Sequence, residues 1–520
     1  MSTKLTLYNQ SVMIETKDPR LLELIESFVK EQYTTVQDGI GMNAEEKVTV
    51  YAGASQTHHA YLLQLNQFKH FFYYLKQNGY ELKDPELIDK RDYPHEKIDY
   101  TLKPKWKLRD YQVPVYDFIM DNASKETTLI PLDTGAGKTM LSLYSLSKLS
   151  NRFAVLVEPR FIDQWSGSIQ DIHDSSQDDI YIISGDNESK ARNYELIKSL
   201  VEIAKEEGTI PYKYIIISLA AMRDFIRKWE EDPEETLYLY GTSPMDFFPS
   251  IKVHTLLIDE VHISFHAVYR AVMYSNVKHH LAMSATLIPR SPAETRAKNV
   301  LYPPDSIYHD TMTKKYIRVF PYHYRVSQEA RRKLRWAQSR DGRNGMYMHG
   351  IFEGSMTKIP SMRESYFDLI NEVAELFYFS EYMEGDKLIV FISLVKTAEL
   401  LQEYFSEKYP DKKCFKFCQG DSYEEMLSAD IIVTTVGKAG TGTDIPGLRV
   451  AIQTVSSVAP ASNLQTIGRL RPIPDRDVKF IFLVCDDVDK QRRHKQRRIE
   501  IFDKKAISFE NYRSNSEIEI

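Results

Sequence analysis

The stretch that most constrains this chain is LIPLDTGAGKTMLSLYSL, residues 129–146. An apolar run feeds a loop carrying Gly135 and Gly137, and an amphipathic pattern follows from Lys138. A strand, a glycine loop and a helix in that order put a helix start at the end of a buried strand. That is the unit from which helix-covered parallel sheets are built. Glycines let backbone amides turn towards phosphate oxygens, and the helix N-terminus adds partial positive charge. Lys138 is spaced to reach the β and γ phosphates of a nucleotide, and the Thr139 hydroxyl to ligate Mg²⁺. Asp133, Thr134, Gly135, Ala136, Gly137, Lys138, Thr139 and Met140 are the expected nucleotide-binding run. The strict pattern wants a further glycine at the position of Leu132.

From about Trp106 onward, short apolar runs alternate with helical spacing: TTLIPL, FAVLVEP, YIIISL, HTLLIDE, HHLAMSAT, KLIVFIS, IIVTTV and KFIFLVCD. Continuous apolar strands between helices indicate parallel sheets covered on both faces, and Pro303-Pro304 is a natural break between two of them. The first 95 residues read as a separate small α/β unit. SVMIETKD alternates as a strand, PRLLELIESFVKEQY has helical spacing, and YLLQLNQFKHFFYYLKQNGY reads as a second helix stopped by Gly79. The expected division is an N-terminal accessory domain over 1–95, a first lobe over 96–303, a second over 304–505 and a tail over 506–520.

Composition narrows the class. Of 520 residues, 42% are hydrophobic and 27% charged, as in a globular protein, and no apolar run is long enough to cross a bilayer. The N-terminus lacks a basic segment followed by an apolar core, and Cys414, Cys418 and Cys485 cannot frame a disulfide scaffold, so a cytoplasmic setting is expected. A net charge of -6 excludes a simple polycation that coats nucleic acid but not a local basic cleft. DKQRRHKQRR, residues 489–498, reads first as a solvated helix face and second as a phosphate-contacting edge.

A phosphate loop needs a metal-holding acid, and LLIDEVH supplies one. Asp259 ends a buried strand and is placed to hold Mg²⁺, and Glu260 is placed to take a proton from an attacking water. His262 and His266 have the spacing of a zinc helix, but Ile263 stands where zinc proteases carry glutamate, so no zinc is expected.

With the phosphate loop and DEVH in place, the chain resembles the superfamily-2 helicases and translocases over roughly residues 106–498. The resemblance implies two RecA-like parallel-sheet lobes, ATP and Mg²⁺ as cofactors, and nucleic acid as partner. LRDYQ looks like the adenine-reading Q motif, with Gln112 pairing to the base and Arg109 near it. VLVEPRFIDQW resembles motif Ia, with Arg160 towards the nucleic-acid backbone, and Ser218 in the loop near SLAAM joins that grip. SAT resembles motif III, so Ser284 and Thr286, with His262, couple the nucleotide state to lobe movement. TTVGKAGTGTDIP resembles motif V, with Thr435 towards the nucleic acid and Gly442 and Asp444 near the nucleotide. QTIGRLRP resembles motif VI, bringing Gln465 and an arginine finger, either Arg469 or Arg471.

The N-terminal unit, with NGY and DPEL after an aromatic helix, and YIRVFPYHYRV opening the second lobe look like phage UvsW-type helicases. That likeness implies a monomeric enzyme of the host cytoplasm that unwinds or remodels branched DNA. Within YIRVFPYHYRVSQEARRKLRWAQSRDGR, a strand followed by a helix with solvated arginines is the plainer reading. A duplex-meeting groove of Arg331, Arg332, Arg335 and Trp336 is the sharper one. An RNA helicase and a nucleic-acid clamp without hydrolysis are the rival functions. Intact Lys138, Asp259, Glu260 and Arg469 argue against the clamp.

Overall fold

The computed structural model describes residues 3–37, 47–55, 59–132, 136–184, 190–262, 264–284, 289, 291–309, 315–418, 420–436, 445–473 and 475–520. The chain divides into two compact units, Met1–Thr311 and Met312–Ile520. Residues after Pro303-Pro304 stay with the first unit because Ile307 bridges Leu129 and the Tyr308 amide donates to the Leu129 carbonyl at 3.0 Å.

Among the described residues, the first unit holds a five-stranded mixed sheet, a two-stranded hairpin and a six-stranded parallel sheet. The mixed sheet is built from β1 (Lys4–Leu7), β2 (Ser11–Glu15), β5 (Gly53–Ser55), β6 (Ala60–Gln64) and β7 (Glu86–Asp89), in the order β5-β6-β2-β1-β7. The hairpin pairs β3 (Thr34–Gln37) with β4 (Lys47–Val50). The long segment from Tyr61 is not one helix. Its first residues are strand β6, and the helix Leu65–Gln77 starts where the Gln64 side chain caps it. This N-terminal sheet shares one hydrophobic core with the lobe that follows. Gly53 lies flat against Tyr274, where a Cβ would stand 2.3 Å from the phenol oxygen, and Ser11 Oγ donates to the Met273 carbonyl at 2.7 Å.

The parallel sheet is composed of β8 (Thr127–Pro131), β9 (Phe153–Val157), β10 (Ile180–Ile183), β11 (Tyr214–Ser218), β12 (Thr255–Ile258) and β13 (His279–Ser284). Its order is β10-β11-β9-β12-β13-β8. All five pairings are parallel, so the ends of β8, β9, β12 and β13 emerge on one edge. β9, β11, β12 and β13 are buried along their whole length, the signature of a sheet covered on both faces.

Among its described residues the second unit is built on one parallel sheet of eight strands. They are β14 (Ile317–Val326), β15 (Lys387–Ile392), β16 (Cys414–Phe417), β17 (Ile431–Thr435), β18 (Leu448–Gln453), β19 (Val478–Cys485), β20 (Ala506–Phe509) and β21 (Tyr512–Ile518). The order is β16-β17-β15-β18-β19-β14, with β20 and β21 end to end along β14. The fold class is therefore the expected one, parallel-sheet α/β lobes after a small α/β domain. Residues 506–520, expected as a tail, are instead sheet: Ile518 is buried and pairs with Val326, giving β14 its outer neighbour. β18 escaped detection because Arg449 interrupts its apolar run. The arginine is buried, its charge met by Asp386 at 2.9 Å and Glu381 at 3.1 Å.

Candidate nucleotide site and arginine loop

β8 delivers the chain to the glycine loop. Gly137 has φ +77° and caps the helix Lys138–Leu149. Only glycine suits the position, because the backbone is left-handed and a Cβ would stand 2.7 Å from Gln112 Nε2. Gln112 is fully buried, and both ends of its amide are used by main chain. Its Nε2 donates to the Ala136 carbonyl at 3.0 Å, and its oxygen accepts from the Arg109 amide at 3.0 Å. It braces the loop, where the sequence suggested base pairing with adenine. Arg109 reaches the same loop through Tyr111, donating to its hydroxyl at 2.9 Å, and that hydroxyl donates to the Ala136 carbonyl. Met140 is buried in the core under the helix, so its contribution is packing. Thr139 lies on the first turn beside Lys138. Asp133, Thr134, Gly135, Thr286, Gly442 and Asp444 lie outside the described residues.

Asp259 and Glu260 follow β12 directly. Glu260 has φ +51°, a left-handed backbone that costs a side-chain-bearing residue about 1–2 kcal/mol. The turn aims its carboxylate at the loop, where Lys138 Nζ donates to Oε1 at 2.6 Å. His262 Nδ1 stands 3.2 Å from the other oxygen and 3.0 Å from Ser284 Oγ. One part-buried series of contacts, Lys138–Glu260–His262–Ser284, thus links the loop, the acid pair and the end of β13. Burial favours neutral Glu260, but the charge of Lys138 and the contact with His262 outweigh it and hold the acid well below its usual range. Asp259 goes the other way, since burial and the neighbouring Glu260 raise it. Its Oδ2 accepts from Trp165 Nε1 at 3.0 Å. Trp165 lies in the motif Ia segment, whose spacing carries no sign of this bond. Ser264 donating to Glu158 at 2.6 Å was likewise unforeseen.

Arg160 is exposed beyond β9, packed over the Phe161 ring at 5.0 Å. Ser218 is buried, and its hydroxyl accepts from the Ala221 amide at 3.0 Å to cap the next helix.

In the second unit, Thr435 ends β17 and Gln465 lies on the helix Pro460–Ile467. Arg469 follows that helix and is buried, and Arg471 Nη1 donates to the Gly468 carbonyl. Tyr316 OH donates to the Leu470 carbonyl at 2.9 Å, pinning the backbone between the two arginines. Arg498, from the expected solvated face, is buried. It donates to Gln453 Oε1 at 2.6 Å, and its guanidinium packs over the Phe482 ring at 4.2 Å. Arg331 and Arg332 are exposed on the short helix Gln328–Lys333, and Arg335 is exposed just after it. Trp336 is half-buried, packed against the core, with Arg343 5.6 Å from its ring. Its ring is engaged by protein.

Residues 105–289 match the family described as type III restriction enzyme, res subunit. The matched segment contains the whole Lys138–Glu260–His262–Ser284 series. No curated protein matches the chain. Among solved structures, the chain is similar to Dbp5 of S. cerevisiae bound to RNA and ADP BeF3, with 14% identity and TM-score 0.48 over 78% of this chain and 90% of that one. It is also similar to the Hef helicase domain of Pyrococcus furiosus, with 14% identity and TM-score 0.44 over 75% of this chain and 98% of that one. No described helix is long and apolar enough to cross a membrane.

Proposed function

We propose that this chain is an ATP-driven DNA helicase or translocase that unwinds or remodels branched DNA. The observation that carries the reading is the part-buried series from Lys138 to Ser284, which joins three separate sequence motifs through side-chain contacts. Asp259 fits a role in holding Mg²⁺. It is a buried carboxylate raised by burial and a like-charged neighbour, and a divalent cation relieves both. Thr139 on the helix start adds a second oxygen donor of the kind Mg²⁺ prefers. Bound there, the ion supplies charge to the phosphate oxygens.

The chain's own residues do the rest. Glu260 paired to Lys138 is a weak base, because the lysine holds its proton affinity down. Lys138 can serve a phosphate only by leaving Glu260, and that exchange releases Glu260 to accept a proton from water. Its loss of the lysine is felt at His262 and Ser284, which carry the change towards the end of β13. Arg469 or Arg471 supplies the finger from the second lobe, a contribution typically worth about 10³ to 10⁵ in rate. Arg160 and Thr435 grip the strand through its backbone. The N-terminal sheet, docked on the first lobe, is the element available to read a junction.

ATP turnover measured with forked DNA, duplex DNA and single-stranded RNA, beside Glu260→Gln, tests the reading. Strong stimulation by forked DNA, lost in the variant, is expected. Preference for RNA would transfer the motor to the RNA helicases, and a wild type unmoved by any nucleic acid would sink it.

A further inference from the structure

On the C-terminal edge of the second sheet, β14, β19 and β21 enclose an open groove of about 550 Å³. Four arginines line it, each from a different element: Arg325 at the end of β14, Arg331 on the short helix, Arg492 on the helix Asp489–Phe502 and Arg513 on β21. Three carboxylates, Asp486, Asp487 and Glu517, line it too, so a count of charges says little. Depth separates Asp486 and Asp487 from the arginines, whereas Glu517 is exposed as they are. The Arg331, Arg492 and Arg513 side chains are 55%, 57% and 60% exposed, whereas Asp486 and Asp487 are 16% and 23% exposed.

The two aspartates form the floor. Asp487 accepts from the Val326 amide at 2.9 Å and stands 3.4 Å from Arg331 Nη1. Asp486 accepts from His323 Nδ1 at 2.6 Å and pairs with Arg513 at 3.1 Å. Lys495 Nζ donates to the far side of the same imidazole at 2.9 Å. Asp487 and Asp486 therefore hold Arg331 and Arg513 in place, and Arg492 pairs with the exposed Asp489. Across β21 the surface reverses sign. A neighbouring groove is lined by Asp368, Glu372 and Glu517 and, among the described residues, by no basic one, which would turn a polyanion towards the arginine side.

We infer that this groove binds the sugar–phosphate backbone of a nucleic-acid duplex. The inference rests on the proposed motor function and adds a second contact to it. Proteins that hold single strands offer aromatic rings on which bases stack, and among the described residues no aromatic one lines this groove. Guanidiniums without stacking platforms suit a backbone whose bases are already paired. The position fits as well. Thr435, the expected strand contact, lies on the same sheet edge at the end of β17, four strands from β14 and so about 19 Å away. The edge thus offers one end to the tracked strand and the other to the unopened duplex.

The test measures binding of a blunt DNA duplex and of a single strand across a salt series. The variants are Arg325→Glu/Arg492→Glu/Arg513→Glu and the matching triple lysine substitution. Each phosphate contact contributes about 0.9 to the slope of log affinity against log salt. The charge-reversed protein should lose about tenfold or more in duplex affinity and about 2 to 3 in slope, with single-strand affinity within about twofold and lysine restoring most of the loss. Unchanged duplex affinity and slope would overturn the inference, as would an equal loss on single strands. A wild type that binds neither probe would instead fail the motor reading. Unfolding midpoints verify integrity. If the triple variant does not fold, Arg492→Glu alone, on an exposed helix face, should still lower the duplex slope by about 1, and no change there overturns the inference.

Discussion

The first and second units keep their buried charges in different ways. In the first, the basic and acidic groups of the candidate site are stored against each other, Lys138 on Glu260, within a polar series that ends at Ser284. In the second, the sheet's two ends differ. At the start of β18, Arg449 is met by Asp386 and Glu381, and Arg476 and Lys479 join the same acids. At the far end Arg498 rests on a neutral amide and an aromatic ring. Removing the carboxylates from the vicinity of a buried guanidinium leaves its field unspent, whereas a guanidinium locked to an acid is structural. A site that must exchange partners keeps a breakable pair, and a scaffold keeps a permanent one.

The largest expected effect breaks the first unit's pair. Glu260→Gln should lower ATP turnover by about 10² to 10⁴ while nucleotide binding is kept, since Lys138 no longer has a rival. Retention of more than about a tenth of the turnover would remove Glu260 from the base role. Next, Arg449→Met strips a buried charge pair of one partner and should cost the second unit about 3 kcal/mol in urea unfolding. Arg498→Met, losing one hydrogen bond to a neutral group, should cost about 1–2 kcal/mol. Equal costs would erase the contrast.

pH sharpens it further. His280 is buried beside Thr127 and His279, and burial pushes its pKa from 6.5 to about 3. It stays neutral when folded, so the unfolded chain binds more protons and the first unit loses stability as pH falls below 6.5. Glu353 in the second unit has the opposite sign. Burial raises it from 4.5 to about 7, although it accepts the Ser393 and Leu394 amides at 2.9 and 2.8 Å. Its share of stability is present below pH 4.5 and lost as pH rises towards 7. Unfolding of wild type, His280→Asn and Glu353→Gln across that range should show opposite slopes relative to wild type. The smallest effect is Ser284→Ala, which should reduce nucleic-acid stimulation of turnover by a few-fold, about 1 kcal/mol, and leave basal turnover close to wild type.

Much of this was legible in the sequence because parallel strands covered on both faces are continuous apolar runs. β8, β9, β11, β12, β13, β15, β17 and β19 all announce themselves that way. Elements carrying charge for a tertiary reason did not. β18 hides behind Arg449, and the helix Asp489–Phe502 reads as solvated although Arg498 is buried in it. At the site, the residue types at the loop and acid pair were readable from spacing, since Gly137, Lys138, Asp259 and Glu260 sit where strands end. What spacing cannot hold is the partner across the fold. Gln112 turned out to brace the loop, Ser218 to cap a helix and Trp165 to bind Asp259, and each depends on a neighbour distant in sequence.

The strands β20 and β21 carry a consequence for synthesis. β14 opens the second unit, yet its outer neighbours along the sheet are made after every other strand of that unit. While the chain emerges from the ribosome, β14 presents an unpaired edge, the kind of surface that invites pairing with another nascent chain. The first unit has all its strands before β14 is made and can fold on schedule. The second must wait for Tyr512–Ile518 to emerge, so its yield in the cell should depend on holding β14 in reserve until they do.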